Sequence, residues 1–170
     1  KRIRLGVNID HVATVRNARG ENYPSPLKAA QISERSGANS ITIHLREDRR
    51  HIHDKDLKLI ISKLKIPLNL EIAATEEMLK IALRNKPPFI CIVTEKRTEI
   101  HRILKLKKKK IRVSLFIEPK KEDIQKAKSL EVNCIEVHTG RFCNLVNKNM
   151  NFKKELNKIR KAVNYARGIG

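Results

Sequence analysis

Four apolar tracts of this chain end in polar residues two positions apart: Asn8 and Asp10, Thr42 and His44, Asn69 and Glu71, and Glu136 and His138. In an extended strand, residues two apart face the same way. Each pair therefore shares a face, while Val7, Ile9, Ile41, Ile43, Leu68, Leu70, Ile135 and Val137 take the other. Buried carboxylates and imidazoles are costly unless partnered, so packing alone does not account for four polar strand ends. Groups that titrate near neutrality, or that burial can push there, serve to move protons. Glu71, inside Leu68-Asn69-Leu70-Glu71-Ile72, is the sharpest case. His44 alone would fit a structural histidine, but its strand-end place beside Arg46 favours chemistry. Arg16 and Arg19 follow the first tract and suit a phosphate or carboxylate through paired N–H donors, with plain surface charge equally open. Glu47, Asp48 and Arg49 read as solvated surface. His51-Ile52-His53 raises a metal, but no third ligand is spaced for one, so no metal site is expected.

The elements that must place these residues alternate along the chain. Strands are expected over residues 5–10, 40–45, 68–72, 89–93, 112–117 and 134–138, and helices over 27–36, 55–64, 75–85, 103–109, 121–130 and 151–167. Residues 12–26, with Asn17, Gly20, Asn22, Pro24 and Pro26, read as a polar loop. Gly37 ends the first helix and Asp54 reads as the N-cap of the second. Six β/α repeats with continuous apolar strands imply a parallel sheet covered by helices, in one domain over residues 1–170 without a linker. A doubly wound sheet would usually carry a Gly-rich turn after its first strand. Asn8-Ile9-Asp10-His11 has no glycine cluster, which favours a TIM (β/α)8 barrel of which six units are present. The polar pairs then lie at the C-terminal strand ends, where barrel enzymes build their sites. Six strands cannot close an eight-stranded barrel, whose strand number and tilt are linked. An open, C-shaped sheet is expected, with strands one and six apart and their edges unpaired.

With no Trp, two Tyr and four Phe in 170 residues, the core must be built from Ile, Leu and Val. The net charge of +20 raises nucleic acid first, but Lys and Arg are spread along the chain and no basic–aromatic interleaving offers a stacking platform. No nucleic-acid partner is expected; a basic field can steer anionic substrates, and A/T-rich codons would also enrich Lys, Ile and Asn. Three cysteines, Cys91, Cys134 and Cys143, match no zinc or redox spacing. Cys91 and Cys134 lie in apolar tracts and are expected to be buried thiols, in keeping with a reducing, cytoplasmic setting. No secretory signal is read, because residues 5–10 already form a strand. No apolar run approaches the roughly 18–20 residues of a membrane span.

Longer tracts carry a resemblance. Gly6-Val7-Asn8-Ile9-Asp10-His11-Val12-Ala13-Thr14 with Arg16-Asn17-Ala18-Arg19-Gly20 is one, and Thr42-Ile43-His44-Leu45-Arg46-Glu47-Asp48-Arg49-Arg50-His51-Ile52 another. Asn69-Leu70-Glu71, Thr75-Glu76-Glu77-Met78, Glu95-Lys96-Arg97, Val113-Ser114-Leu115-Phe116-Ile117 and Ile135-Glu136-Val137-His138-Thr139-Gly140 follow in order. Together they resemble the pyridoxine 5′-phosphate synthase family over nearly the whole chain. The resemblance implies a homo-oligomeric barrel enzyme of vitamin B6 synthesis, octameric in the family and without a cofactor. It would condense 1-deoxy-D-xylulose 5-phosphate with 3-amino-2-oxopropyl phosphate to give pyridoxine 5′-phosphate, phosphate and water. By position, Glu71 and His44 would be proton acceptors and Glu136 an electrostatic support. Asn8 and Arg19 would hold the aminoketone phosphate, and Asp10, His11, Arg46 and His51 the deoxyxylulose phosphate.

The chain also departs from the family. After Ile100 the family carries a Gly-containing loop of more than a dozen residues, whereas here His101-Arg102-Ile103-Leu104 follows directly. Beyond the position of Gly170 the family continues with two more units, which bring a further catalytic histidine and a Gly-His phosphate contact. The chain is therefore expected to lack the last two units and that loop, with a gap or abrupt join at Ile100–His101. Two alternatives stand beside this. One is another phosphosugar-binding barrel aldolase or isomerase, although no lysine for a Schiff base lies on an inward strand end. The other is an inactive basic remnant that binds nucleic acid, which strong salt dependence would betray.

Overall fold

The computed structural model describes residues 3–93 and 100–170. Its elements run β1 (Gly6–Asn8), α1 (Asp10–Arg19), α2 (Pro26–Arg35), β2 (Ser40–Leu45), α3 (Asp54–Lys63), β3 (Leu68–Ala73) and α4 (Glu76–Asn85). They continue with β4 (Phe89–Val93), α5 (Ile100–Lys108), β5 (Arg112–Ile117), α6 (Lys121–Ser129), β6 (Cys134–Val137), α7 (Gly140–Asn147) and α8 (Lys153–Ile169). The strands form one parallel sheet in the order β1-β2-β3-β4-β5-β6, each β/α unit returning the chain to the next strand.

Alternation along β2 and β3 separates the two faces. Ile41, Ile43 and Leu45 and then Leu68, Leu70 and Ile72 are buried against the helices, and each contributes ~1.5–3 kcal/mol relative to exposure. Leu57 and Ile60 of α3 and Met78, Leu79 and Ala82 of α4 supply the facing layer at helical spacing. The other face forms rows across the sheet. One row is Asn8, Thr42, Asn69, Phe89 and Arg112. The next, closer to the C-terminal strand ends, is His44, Glu71, Cys91, Ser114 and Cys134.

The sheet is curled. β3 and β6 are three strands apart, roughly 14 Å in a flat sheet, yet Asn69 Nδ2 donates to Glu136 Oε1 at 3.1 Å. The inner faces of these strands therefore look at each other, as in part of a barrel wall. Among the described residues β1 pairs with β2 alone and β6 with β5 alone, so the sheet is open, as expected. Ile100 and His101 are consecutive residues of the first turn of α5. Glu95, Lys96 and Arg97 lie outside the described residues.

Other sequence-based expectations are corrected. The loop expected over 12–26 is largely helix α1, and β1 stops at Asn8 rather than at residue 10. Asn8 Oδ1 accepts the Asp10 N–H at 2.9 Å, so Asn8-Ile9-Asp10 is a turn that starts the helix at once. Gly20, at φ 67° with its N–H on the Asn17 carbonyl, ends it. The breakers that suggested a loop act only on residues 20–26. Helix α7 was not expected, and α5 begins three residues before the expected start. The cap of α3 is His53, whose N–H is taken by Asp56 Oδ2 at 2.9 Å, rather than Asp54. Cys134 is exposed rather than buried, because among the described residues β6 has no strand beyond it. None of the described helices is long and apolar enough to cross a membrane.

Candidate active site

The site is assembled from the turn after β1 outward. Asp10 opens α1 and is buried; its Oδ1 accepts the backbone N–H of His44 at 2.8 Å and its Oδ2 the side-chain amide of Asn8 at 2.9 Å. One carboxylate thus ties β1 and α1 to the end of β2 and fixes where His44 leaves the strand. Asn8 and Asp10 meet through this turn rather than by sharing a strand face.

His44 and Glu71 are register partners on β2 and β3, and their Nδ1 and Oε2 atoms stand 3.8 Å apart, each side chain 18% exposed. Burial, then the charges of Glu136 and Asp10, push the Glu71 carboxyl up to about 7. Burial is also the main reason that His44 titrates below the usual imidazole range; Asp10 opposes this, while Arg46 and His51 reinforce it. Near neutrality the pair is a carboxyl poised between its two states beside a neutral imidazole. Such a pair can take up and return protons at physiological pH.

His51 faces His44 with ring centres 6.0 Å apart. Its Nδ1 accepts the Ile52 N–H at 2.9 Å, which leaves Nε2 to carry the proton of the neutral ring. Burial, above all, lowers its pKa. Two side chains of α1 hold this loop. Arg16 Nη1 meets Asp56 Oδ1 at 2.6 Å and its Nη2 meets Asp56 Oδ2 and the His51 carbonyl at 3.0 Å each, while Asn17 Nδ2 reaches the His51 carbonyl at 2.9 Å. Arg16 is therefore a buried structural cation and not the free anion-binding group that its spacing suggested.

Glu136 projects from β6 across the interior. Its Oε1 accepts from Ser114 Oγ at 2.9 Å and from Asn69 Nδ2 at 3.1 Å. Cys91 lies between Glu71 and Ser114 in the same row, and burial, aided by Glu136, pushes its thiol far up, so it stays protonated. At the rim, Arg46 is half-buried with its Nε 3.4 Å from Asp48 Oδ1. Arg49, read from sequence as solvated, rivets the loop instead: it pairs with Asp54 at 2.9 Å and Glu77 at 2.6 Å and donates to the carbonyls of Arg46 and Glu47. His138, also at the strand ends, bonds Glu118 at 2.7 Å and packs on Phe116.

The structure thus gathers Asn8, Asp10, His44, His51, Glu71 and Glu136 around one interior, with Arg46 at its edge. His11 is exposed on the first turn of α1. Arg19 stands apart, nine residues or roughly 13 Å of helix beyond Asp10, donating to Tyr23 Oη at 2.7 Å and lying over that ring at 4.7 Å. Ser114 was missed as a site residue. Its signal was a lone hydroxyl in the apolar strand Val113-Ser114-Leu115.

Curled parallel strands with acid–base groups at their C-terminal ends define a (β/α) barrel enzyme wall. Solved structures agree on the fold alone. Phosphoribosylanthranilate isomerase of Thermotoga maritima matches with TM-score 0.58 at 16% identity, over 82% of this chain and 67% of that one. A mandelate oxidase matches with TM-score 0.62 at 12% identity, over 98% and 64%. The family model described as pyridoxal phosphate biosynthesis protein PdxJ matches residues 5–103 and 100–170, and the chain belongs to that family. Pyridoxine 5′-phosphate synthase of Pelagibacter ubique is 50% identical over 93% of this chain and 73% of its own length. Those of Zymomonas mobilis and Aquifex aeolicus are each 49% identical over 99% of this chain and 72% and 77% of their own lengths.

Proposed function

We infer that this chain is a pyridoxine 5′-phosphate synthase, joining 1-deoxy-D-xylulose 5-phosphate to 3-amino-2-oxopropyl phosphate. Family membership supports the activity, and the geometry supports the roles. Forming a carbon–nitrogen bond between an amine and a ketone, expelling phosphate and closing a ring all require protons to leave and return. Glu71, held near 7 beside neutral His44, is the acceptor that can serve repeatedly without a change of solvent pH. His44 relays or accepts a second proton. Glu136 places negative charge opposite cationic species formed from the amine. Asn8, Asp10, His11, Arg19, Arg46 and His51 are assigned to the two phosphorylated substrates. Arg46 and His51 are the best placed of these, at the rim beside His44. Arg19 would have to leave Tyr23 to reach a phosphate.

The same inference includes a cytoplasmic homo-oligomer. No cofactor enters the scheme. Among the described residues no lysine occupies the inward rows, where a Schiff-base aldolase would need one.

The observation that carries the inference is the His44–Glu71–Glu136 cluster, built by three strands on one inner face. Glu71→Gln keeps the shape and removes the base. Turnover should fall by about 10²-fold or more with folding retained; near-normal turnover would remove Glu71 from the mechanism.

A further inference from the structure

Two acidic side chains share the interior, yet their surroundings differ. Glu71 has no hydrogen-bond donor among the described residues and meets His44 only at 3.8 Å. Glu136 accepts from Ser114 and Asn69, both on one oxygen, Oε1, with the Cys91 thiol also against its carboxylate. These donors come from opposite sides: Ser114 sits on the neighbouring strand β5, and Asn69 three strands away on β3, two residues before Glu71. Ser114 is buried, and its Oγ also lies 3.5 Å from the Ile90 carbonyl. A hydroxyl has one proton, and the shorter contact, 2.9 Å, is the one to Glu136. Asn69 is braced in turn by Thr42 Oγ1 at 3.4 Å.

We propose that Ser114 and Asn69 are positioning residues that pin the Glu136 carboxylate opposite Glu71, so that Glu71 becomes the member of the pair that carries the mobile proton. This rests on Glu71 acting as the base and adds the reason why that carboxyl, and not its neighbour, does so. A carboxylate on a flexible two-carbon stem would otherwise swing toward the open side of β6, where the adjoining Cys134 is exposed. Like charges held close disfavour ionisation of one of them. The groups that act on Glu71 are Glu136 from β6, Asp10 from α1, His44 from β2 and the protonated thiol of Cys91 from β4. Of these, Glu136 is the one held by both Ser114 and Asn69.

The test is a titration that needs no turnover. Carbon-13 NMR of the chain labelled at glutamate carboxyls follows Glu71, whose resonance is identified by its loss in Glu71→Gln. The Glu71 midpoint should lie near 7 and drop in Glu136→Gln. Ser114→Ala and Asn69→Ala should each lower it by about half as much, since each removes one of two donors. Ser114→Thr, which keeps the hydroxyl, should restore it. A midpoint unmoved by both alanine variants while Glu136→Gln lowers it would overturn the positioning role, as would no effect of Glu136→Gln. Normal turnover of Glu71→Gln alongside the expected midpoints would instead defeat the catalytic role of Glu71 and leave the positioning intact.

Discussion

The β2–β3 side of the sheet and the β6 edge carry the same alternating pattern and end differently. On β3, Leu68, Leu70 and Ile72 are at most 3% exposed, and on the inner face Glu71 is enclosed enough for burial to be the main cause of its raised pKa. On β6, Ile135 and Val137 are only half-buried and Cys134 is exposed. A strand supplies the pattern, but its neighbours on both sides supply the burial. Titratable groups therefore concentrate where the wall is continuous, and the edge contributes one long carboxylate that reaches back into the enclosed part.

This contrast can be broken experimentally. The largest stability loss is expected at the enclosed side, where removing one partner of the Arg16–Asp56 pair leaves a buried charge: Asp56→Ala should cost ~3–5 kcal/mol in urea unfolding. Leu70→Ala should cost ~2–5 kcal/mol, whereas Ile135→Ala on the edge should cost about half that or less. Equal losses at the two sites would mean that the edge is covered.

Glu71→Gln should also alter the pH dependence of stability. The folded carboxyl titrates near 7 against an ordinary 4.5, so the native state holds the proton more tightly. The stability this contributes is complete below about pH 4.5 and is lost as pH rises through 7, a span of ~3 kcal/mol. Unfolding titrations should therefore show the glutamine variant gaining on the parent chain between pH 5 and 8. Thiol labelling of the native chain should modify Cys134 and Cys143 and spare Cys91 until it unfolds. Smallest of all, Arg50→Ala breaks only the exposed pair with Asp48 and should leave the urea unfolding midpoint nearly unchanged.

The enclosed side was also the more legible from sequence. The alternation through 40–45 and 68–72 placed Thr42, His44, Asn69 and Glu71 on the inner face, because residue spacing in a strand dictates facing. What sequence could not supply were partners made by closure. Nothing near Arg16 announces Asp56, forty positions away. Helix α1 was hidden because its turn-forming neighbours at residues 20–26 dominated the local composition. The fate of Cys134 depended on a neighbour strand, which its own apolar tract does not encode. Ser114 and Asn69 acquired their shared oxygen only when the sheet curled.

The most direct test of Glu71 as the proton acceptor is the pH dependence of kcat for the parent chain and for Glu71→Gln. The parent profile should rise through an acid limb with a midpoint near 7, as the carboxyl loses its proton, and that limb should vanish from the residual activity of the glutamine variant. An acid limb that persists unchanged in Glu71→Gln, or a parent midpoint in the ordinary carboxylate range, would contradict it.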